Sequence, residues 1–201
     1  MSALHGSPVD LWPTLIYQGQ APATAQDNAR LARAILSREG GDPSRSYGVV
    51  HARKSGPDLL RWGTTQTDAL GRLIGDASAA LFAALAPEAG SPRPELTAQG
   101  WAVVYRTGGY HRRHAHHDAV ISGVYCVQAD EDPAVGGTLE LWDPRDSRLA
   151  RAGADAGARL QVQPVAGLLV AWPSWLQHSV SVVRGPAPRI VVAFNVGLLH
   201  G

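Results

Sequence analysis

The chain has 201 residues, 45% of them hydrophobic and 17% charged, with a formal net charge of +1. That suits one domain with a sizeable core, or a core domain with a small helical part, and excludes a disordered chain. A balance so near neutrality gives no reason to expect nucleic acid or an anionic membrane as partner. The single cysteine, Cys126, excludes an internal disulfide and a cysteine-rich zinc site. With no basic-plus-apolar leader and no apolar run of bilayer length, the chain reads as a soluble cytoplasmic protein.

The run Leu11 to Tyr17 reads as a short strand, with Pro13 near its start or edge. Thr24-Ala25-Gln26-Asp27 is a helix start, a hydroxyl cap with an acid three residues on. Leu31, Ala34 and Ile35 continue it as a helical stripe until Gly40-Gly41-Asp42-Pro43-Ser44 breaks it. Residues 45–63 read as irregular. A second helix is expected from Thr65 to Leu85, with Leu70, Leu73, Ile74, Ala77, Leu81 and Leu85 at the helical period and Pro87 and Gly90-Ser91-Pro92 beyond its end. Neither helix carries a polar cluster suited to chemistry, so both are expected to buttress a sheet.

From Glu95 the texture changes to short strands and turns, with strands expected at 97–106, 120–128, 137–142, 159–163, 167–173, 178–183 and 188–196. Helices first and strands after argue for an α+β, mainly β fold. The expected architecture is a double-stranded β-helix, a cupin-like jelly roll able to hold a metal ion at its open end. The expected organisation is a single domain over 1–201, with a helical support region at 1–94 and the jelly-roll core at 95–201. The Ala/Gly/Arg stretch 147–158 reads as a mobile loop suited to capping a site mouth.

The densest chemistry lies in Tyr110-His111-Arg112-Arg113-His114-Ala115-His116-His117-Asp118, which holds four of the chain's eight histidines. Neutral imidazole is the commonest protein metal ligand. On an extended segment residues two apart face the same way, so His114 can share a site with His116, and His116 with Asp118. By the same alternation His111 and His117 point to the other side. His178, which follows Pro173-Ser174-Trp175-Leu176-Gln177 and opens a predicted strand, is the candidate for the distant third ligand. A close pair plus one remote histidine is the pattern of mononuclear iron sites, which keep coordination positions open for ligands.

Arg189 opens the apolar strand Arg189-Ile190-Val191-Val192-Ala193-Phe194-Asn195. A guanidinium at the head of a core strand needs an anion, and its planar fork suits a carboxylate. Tyr105, on the strand leading to the histidines, is placed to add a hydroxyl to the same anion. Trp142, Trp172 and Trp175 are weighed for the pocket wall against core packing, the favoured reading, and Arg113 and Arg145 for an acidic substrate group against solvated surface positions, again the favoured reading.

These residues resemble the iron(II)- and 2-oxoglutarate-dependent dioxygenases, most closely a bacterial and phage branch. The resemblance rests on Gly108-Gly109-Tyr110 before His114-Ala115-His116, on Ser122-Gly123-Val124-Tyr125-Cys126-Val127, on Gly137-Thr138-Leu139 and on Asp143-Pro144-Arg145. Pro173 through His178, Arg189 through Asn195 and the opening Leu11 to Tyr17 complete it. It implies iron(II) and 2-oxoglutarate as cofactors, with metal ligands His114, His178 and a residue at the position where the superfamily usually has an acid. Spacing to Ser122-Gly123 favours His116 there, with Asp118 as the alternative. The resemblance further implies 2-oxoglutarate binding by Arg189 with Tyr105, molecular oxygen as co-reactant, a small-molecule substrate, and hydroxylation of a C–H bond. A homodimer is compatible with it. Two departures accompany His116: Val191 stands where many relatives have a hydroxyl residue, and Cys126 replaces the branch's second tyrosine. Two other readings stay open: a three-histidine cupin-type dioxygenase that does not use 2-oxoglutarate, and a non-catalytic binder of a metal or small acid.

Overall fold

The computed structural model describes residues 13–40, 48–85, 95–145 and 159–199. Among these residues two helices, α1 (Ala25–Ser37) and α2 (Thr65–Leu85), accompany nine strands. The strands are β1 (Tyr17–Gln20), β2 (Val49–Lys54), β3 (Leu96–His114), β4 (Ile121–Gln128), β5 (Leu139–Trp142), β6 (Arg159–Val162), β7 (Leu168–Pro173), β8 (His178–Val180) and β9 (Arg189–Leu198). All pair antiparallel in one curled sheet of order β1-β7-β4-β9-β3-β8-β5-β6, with β2 on β3. This is the mainly β jelly roll that the sequence implies. Among the described residues no helix is long and apolar enough to cross a membrane.

The capping box forms: Thr24 Oγ1 accepts the Asp27 N–H at 3.1 Å, and Asp27 Oδ2 accepts the Thr24 N–H at 3.3 Å. It satisfies two backbone donors that a helix start would leave bare. The stripes of α1 and α2 then pack on one sheet face. Leu31, Ile35, Leu70, Ile74 and Leu81 meet Ala102, Val104, Tyr125, Ile190, Val192 and Phe194 in one buried cluster. Burying each large apolar side chain stabilises by about 1.5–3 kcal/mol, so this face anchors the fold. Because side chains alternate, the neighbours Trp101, Val103, Tyr105, Arg189, Val191 and Ala193 point into the jelly roll instead. Packing is tight enough to demand glycine at 123, where a Cβ would fall 2.2 Å from Phe194 Cζ.

The long strand β3 belongs to both layers. Its first part pairs with β9 from Leu96↔Leu198 to Tyr105↔Arg189, and its end pairs with β8 at His111↔Val180 and His114↔His178. Between them the register with β2 jumps from Ala52↔Tyr105 to Val50↔Tyr110, with Gly108 at φ +82° and His51 at φ +45°. The glycine permits a turn that most side chains resist. Here β3 leaves one layer and enters the other.

Residues 45–63, read as irregular, contain β2 and a short 3-10 turn at Leu59–Arg61. A weak alternation in Val49–Lys54 hides the strand, which is held by pairing with β3 rather than by its own propensity. Strand β1 starts at Tyr17, later than expected, and Leu11 and Trp12 lie outside the described residues. So do Gly41 through Ser44, Pro87, Gly90-Ser91-Pro92 and the expected loop 147–158.

Candidate functional site

The end of β3 and the start of β8 are cross-strand neighbours, which puts His114 opposite His178. The chain then turns after His114, and the His116 N–H donates to Ser174 O at 3.0 Å. Ser174 also donates its N–H to Val120 O at 3.1 Å and its hydroxyl to Ala119 O. These bonds lace the loop after β3 to the turn before β8. One ligand atom from each of His114, His116 and His178 lies within 4.8 Å of the others. Asp118 is not in this group and is exposed, as is His117.

Each of the three rings has a partner at Nδ1. His114 Nδ1 lies 2.7 Å from Arg112 O and His178 Nδ1 lies 3.0 Å from Leu176 O. A carbonyl accepts only, so both Nδ1 atoms carry the proton and Nε2 keeps its lone pair. His116 Nδ1 meets the Asn195 amide at 3.4 Å. Burial pushes His178 down to about 3 and His116 to about 4, with the neighbouring His114 adding to both, and burial lowers His114 as well. The rings are therefore neutral at pH 7, the form that binds a metal.

The same displacement has a stability consequence. An unfolded histidine titrates near 6.5, so below that pH the unfolded chain takes up protons that these rings refuse. Folding stability of the metal-free protein is expected to fall as pH drops from about 6.5 toward 4. Thermal unfolding at pH 7.5 and pH 5, with chelator present, measures it; an equal or higher midpoint at pH 5 contradicts the neutral cluster.

His111 does not point away, contrary to simple alternation. It lines the cavity and stacks on His114 with ring centroids 4.1 Å apart. The register shift between His111 and His114 opposite β8 inserts an extra residue and resets the alternation. Its Nδ1 lies 3.3 Å from the Tyr105 hydroxyl, and burial drives its pKa down to about 2.

Arg189 and Tyr105 line the same cavity, with the guanidinium 5.0 Å from the Tyr105 ring centroid. Both are buried. Burial pushes the Tyr105 pKa up to about 12 against the pull of Arg189, so the hydroxyl keeps its proton. Gly137, at φ +72°, lies against the arginine: a Cβ there would come within 2.7 Å of Arg189 Cδ. Among the described residues four buried side-chain polar atoms lack a partner: Ser78 Oγ, Trp172 Nε1, Arg189 Nε and Arg189 Nη1. Three of the four belong to residues lining this cavity. An orphaned buried donor costs about 1–3 kcal/mol, and more if charged, so the cavity is built for an acceptor-rich anion. Among the described residues no aspartate or glutamate lines it, while Lys54, the chain's single lysine, does. Sequence reasoning missed Lys54, since a lone lysine in a stretch without periodicity gives no signal.

The other candidates divide. Trp172 is buried in the cavity wall, its ring 4.8 Å from that of His178. Trp175 is 50% exposed. Trp142 lies outside the cavity lining, stacked by Arg113 at 4.5 Å and by Arg159 at 5.2 Å, and its Nε1–H donates to Ser179 Oγ. Arg145 pairs with Asp143 at the surface. Neither Arg113 nor Arg145 lines the cavity: Arg113 precedes the inward His114 on β3 and points out, and Arg145 follows β5 at the surface. A larger cavity of about 430 Å³ lies between α1, α2 and Tyr125 on the opposite sheet face. Four of its polar side chains form two hydrogen-bonded pairs, Tyr125 with Asn28 and Asp27 with Gln66.

Residues 99–195 match the model of a family described as "Putative 2OG-Fe(II) oxygenase". No curated protein sequence matches the chain. A prolyl-4-hydroxylase from Pseudomonas putida shares the fold at TM-score 0.65 and 18% identity, covering 93% of this chain and 94% of its own. A Trichoplax adhaerens prolyl hydroxylase in complex with a hypoxia inducible factor peptide fragment matches at TM-score 0.60 and 12% identity, over 90% and 83% of the two chains. HygX from Streptomyces hygroscopicus, with nickel and 2-oxoglutarate bound, matches at 0.55 and 16%, over 92% and 83%. The family match spans the three histidines and Arg189, in a fold shared with these enzymes, and over this stretch the chain is similar to the iron(II)- and 2-oxoglutarate-dependent oxygenases, a superfamily of oxidoreductases.

Proposed function

We propose that this protein is a dioxygenase that binds iron(II) through His114, His116 and His178 and 2-oxoglutarate through Arg189 and Tyr105, and that it hydroxylates a C–H bond of a small molecule. The chain is taken to act as one domain. The observation that carries the reading is a buried guanidinium with two unpartnered donor atoms in the same cavity as three convergent neutral imidazoles.

The residues fit both groups. Imidazole nitrogens suit iron(II) among other borderline divalent ions, and His114, His116 and His178 would hold such an ion. When bound, iron and 2-oxoglutarate supply the oxidative chemistry with oxygen, and the protein supplies geometry and exclusion of water. His114 and His178 are held in one tautomer by the carbonyls of Arg112 and Leu176. Arg189, with two unpartnered donor atoms in the cavity, would hold a carboxylate of the diacid through charge-assisted hydrogen bonds. Tyr105 keeps its proton and donates to the same carboxylate in place of the hydroxyl missing at Val191. Val103, Val180, Val191 and Ala193 line the cavity with hydrocarbon, so these charges act in a low dielectric.

The test is release of succinate from 2-oxoglutarate with matching oxygen consumption once iron(II) is added. Oxygen consumption on a thiol or small acid without succinate would instead support the three-histidine cupin-type enzyme, a reading that the acid-free ligand group favours. Neither product, with metal still bound, would leave a silent binding protein.

A further inference from the structure

The position that usually carries an acid raises a requirement met only for its neighbours by the backbone. His114 and His178 each have a carbonyl two residues earlier in the chain to hold the Nδ1 proton. His116 has a side-chain amide, Asn195, whose Nδ2 lies 3.4 Å away. The Asn195 Oδ1 accepts from the Ser122 hydroxyl at 2.8 Å, and Ser122 is buried. Strand pairing sets this up, since Ser122 on β4 stands opposite Asn195 on β9.

The amide has two orientations with different consequences for the ring. With Nδ2 facing His116, Nδ1 accepts a hydrogen bond and the proton of the neutral ring sits on Nε2. Nε2 then has no lone pair for an ion. With the amide turned by half a rotation, Oδ1 accepts the proton of Nδ1 and Nε2 is released. Ser122 tolerates both states because a hydroxyl donates to Oδ1 or accepts from Nδ2. We propose that Asn195, backed by Ser122, is the positioning residue that lets a histidine serve where an acid usually stands, by accepting the Nδ1 proton of His116 when Nε2 takes the metal. The proposal rests on the three-histidine reading above. Outer partners of this kind orient the ring and raise its basicity.

Two substitutions separate this role from plain packing, because they should move metal affinity in opposite directions. Asn195→Val keeps a strand former of similar size and removes the acceptor, and is expected to weaken binding by about 10–100-fold. Asn195→Asp supplies a permanent acceptor and a negative charge near an otherwise acid-free site, and is expected to bind at least as tightly as wild type. The measurement is calorimetric titration with Mn(II) at pH 7.5 without 2-oxoglutarate, and the thermal midpoint of each metal-free variant checks folding. Wild-type affinity in Asn195→Val, or equal weakening in both folded variants, overturns the proposal while leaving the ligand set standing. Should Asn195→Val not fold, loss of affinity in Asn195→Asp alone overturns it. If wild type binds no Mn(II), the three-histidine reading fails and this one fails with it.

Discussion

His116→Ala is expected to raise the dissociation constant for iron(II) or Mn(II) by more than about 100-fold, beyond what loss of an outer partner does, and to stop succinate release. Asp118→Ala is expected to leave both unchanged. His116 shares a cluster with His114 and His178, whereas Asp118 is exposed and outside it. Anaerobic titration of the two variants with Mn(II) measures the difference. The reverse result, with Asp118 indispensable, would mean that the loop after β3 rearranges on binding. The identity of this ligand matters for charge. Three neutral imidazoles leave both positive charges of the ion in place, and a dianionic cosubstrate is then held more strongly than beside a carboxylate.

Arg189→Leu is the second large effect. Removing one side of a buried charge pair costs about 2–5 kcal/mol, or roughly 30- to 5,000-fold in 2-oxoglutarate affinity. Metal affinity should stay near wild type. The metal-free variant should also melt at a higher temperature, because a buried guanidinium with two unpartnered donor atoms is replaced by hydrocarbon. Lower thermal stability together with intact cosubstrate binding would show that the arginine serves the fold instead. Titration with 2-oxoglutarate in the presence of Mn(II), alongside thermal unfolding, reads both quantities.

Much of this was legible from residue order because the relevant signals are local. The bounds of α2 follow from one uninterrupted stripe, and the start of α1 from a cap whose chemistry spans four residues. The five residues singled out as metal or cosubstrate contacts, His114, His116, His178, Arg189 and Tyr105, all line one cavity. Those inferences needed only alternation along strands and the cost of burying charge. What stayed hidden depends on partners remote in sequence. Strand β2 exists through pairing with β3. His111 turns inward because of a register shift that no periodicity announces. Trp142, weighed for the pocket wall against the favoured reading of packing, lies outside the cavity with the guanidinium groups of Arg113 and Arg159 over its ring. The link from His116 to Asn195 and Ser122 joins three side chains from different strands and loops, each unremarkable alone.

The crossing of β3 from one layer to the other gives the site a built-in calliper. One jaw is Tyr105 of β3 beside Arg189 of β9, the other is His114 of β3 beside His178 of β8, and the shared strand β3 joins them across residues 106–109. The backbone of β3 thus spaces the two jaws by fixing where β9 and β8 meet it. Dicarboxylates one carbon shorter or longer than 2-oxoglutarate should fit poorly.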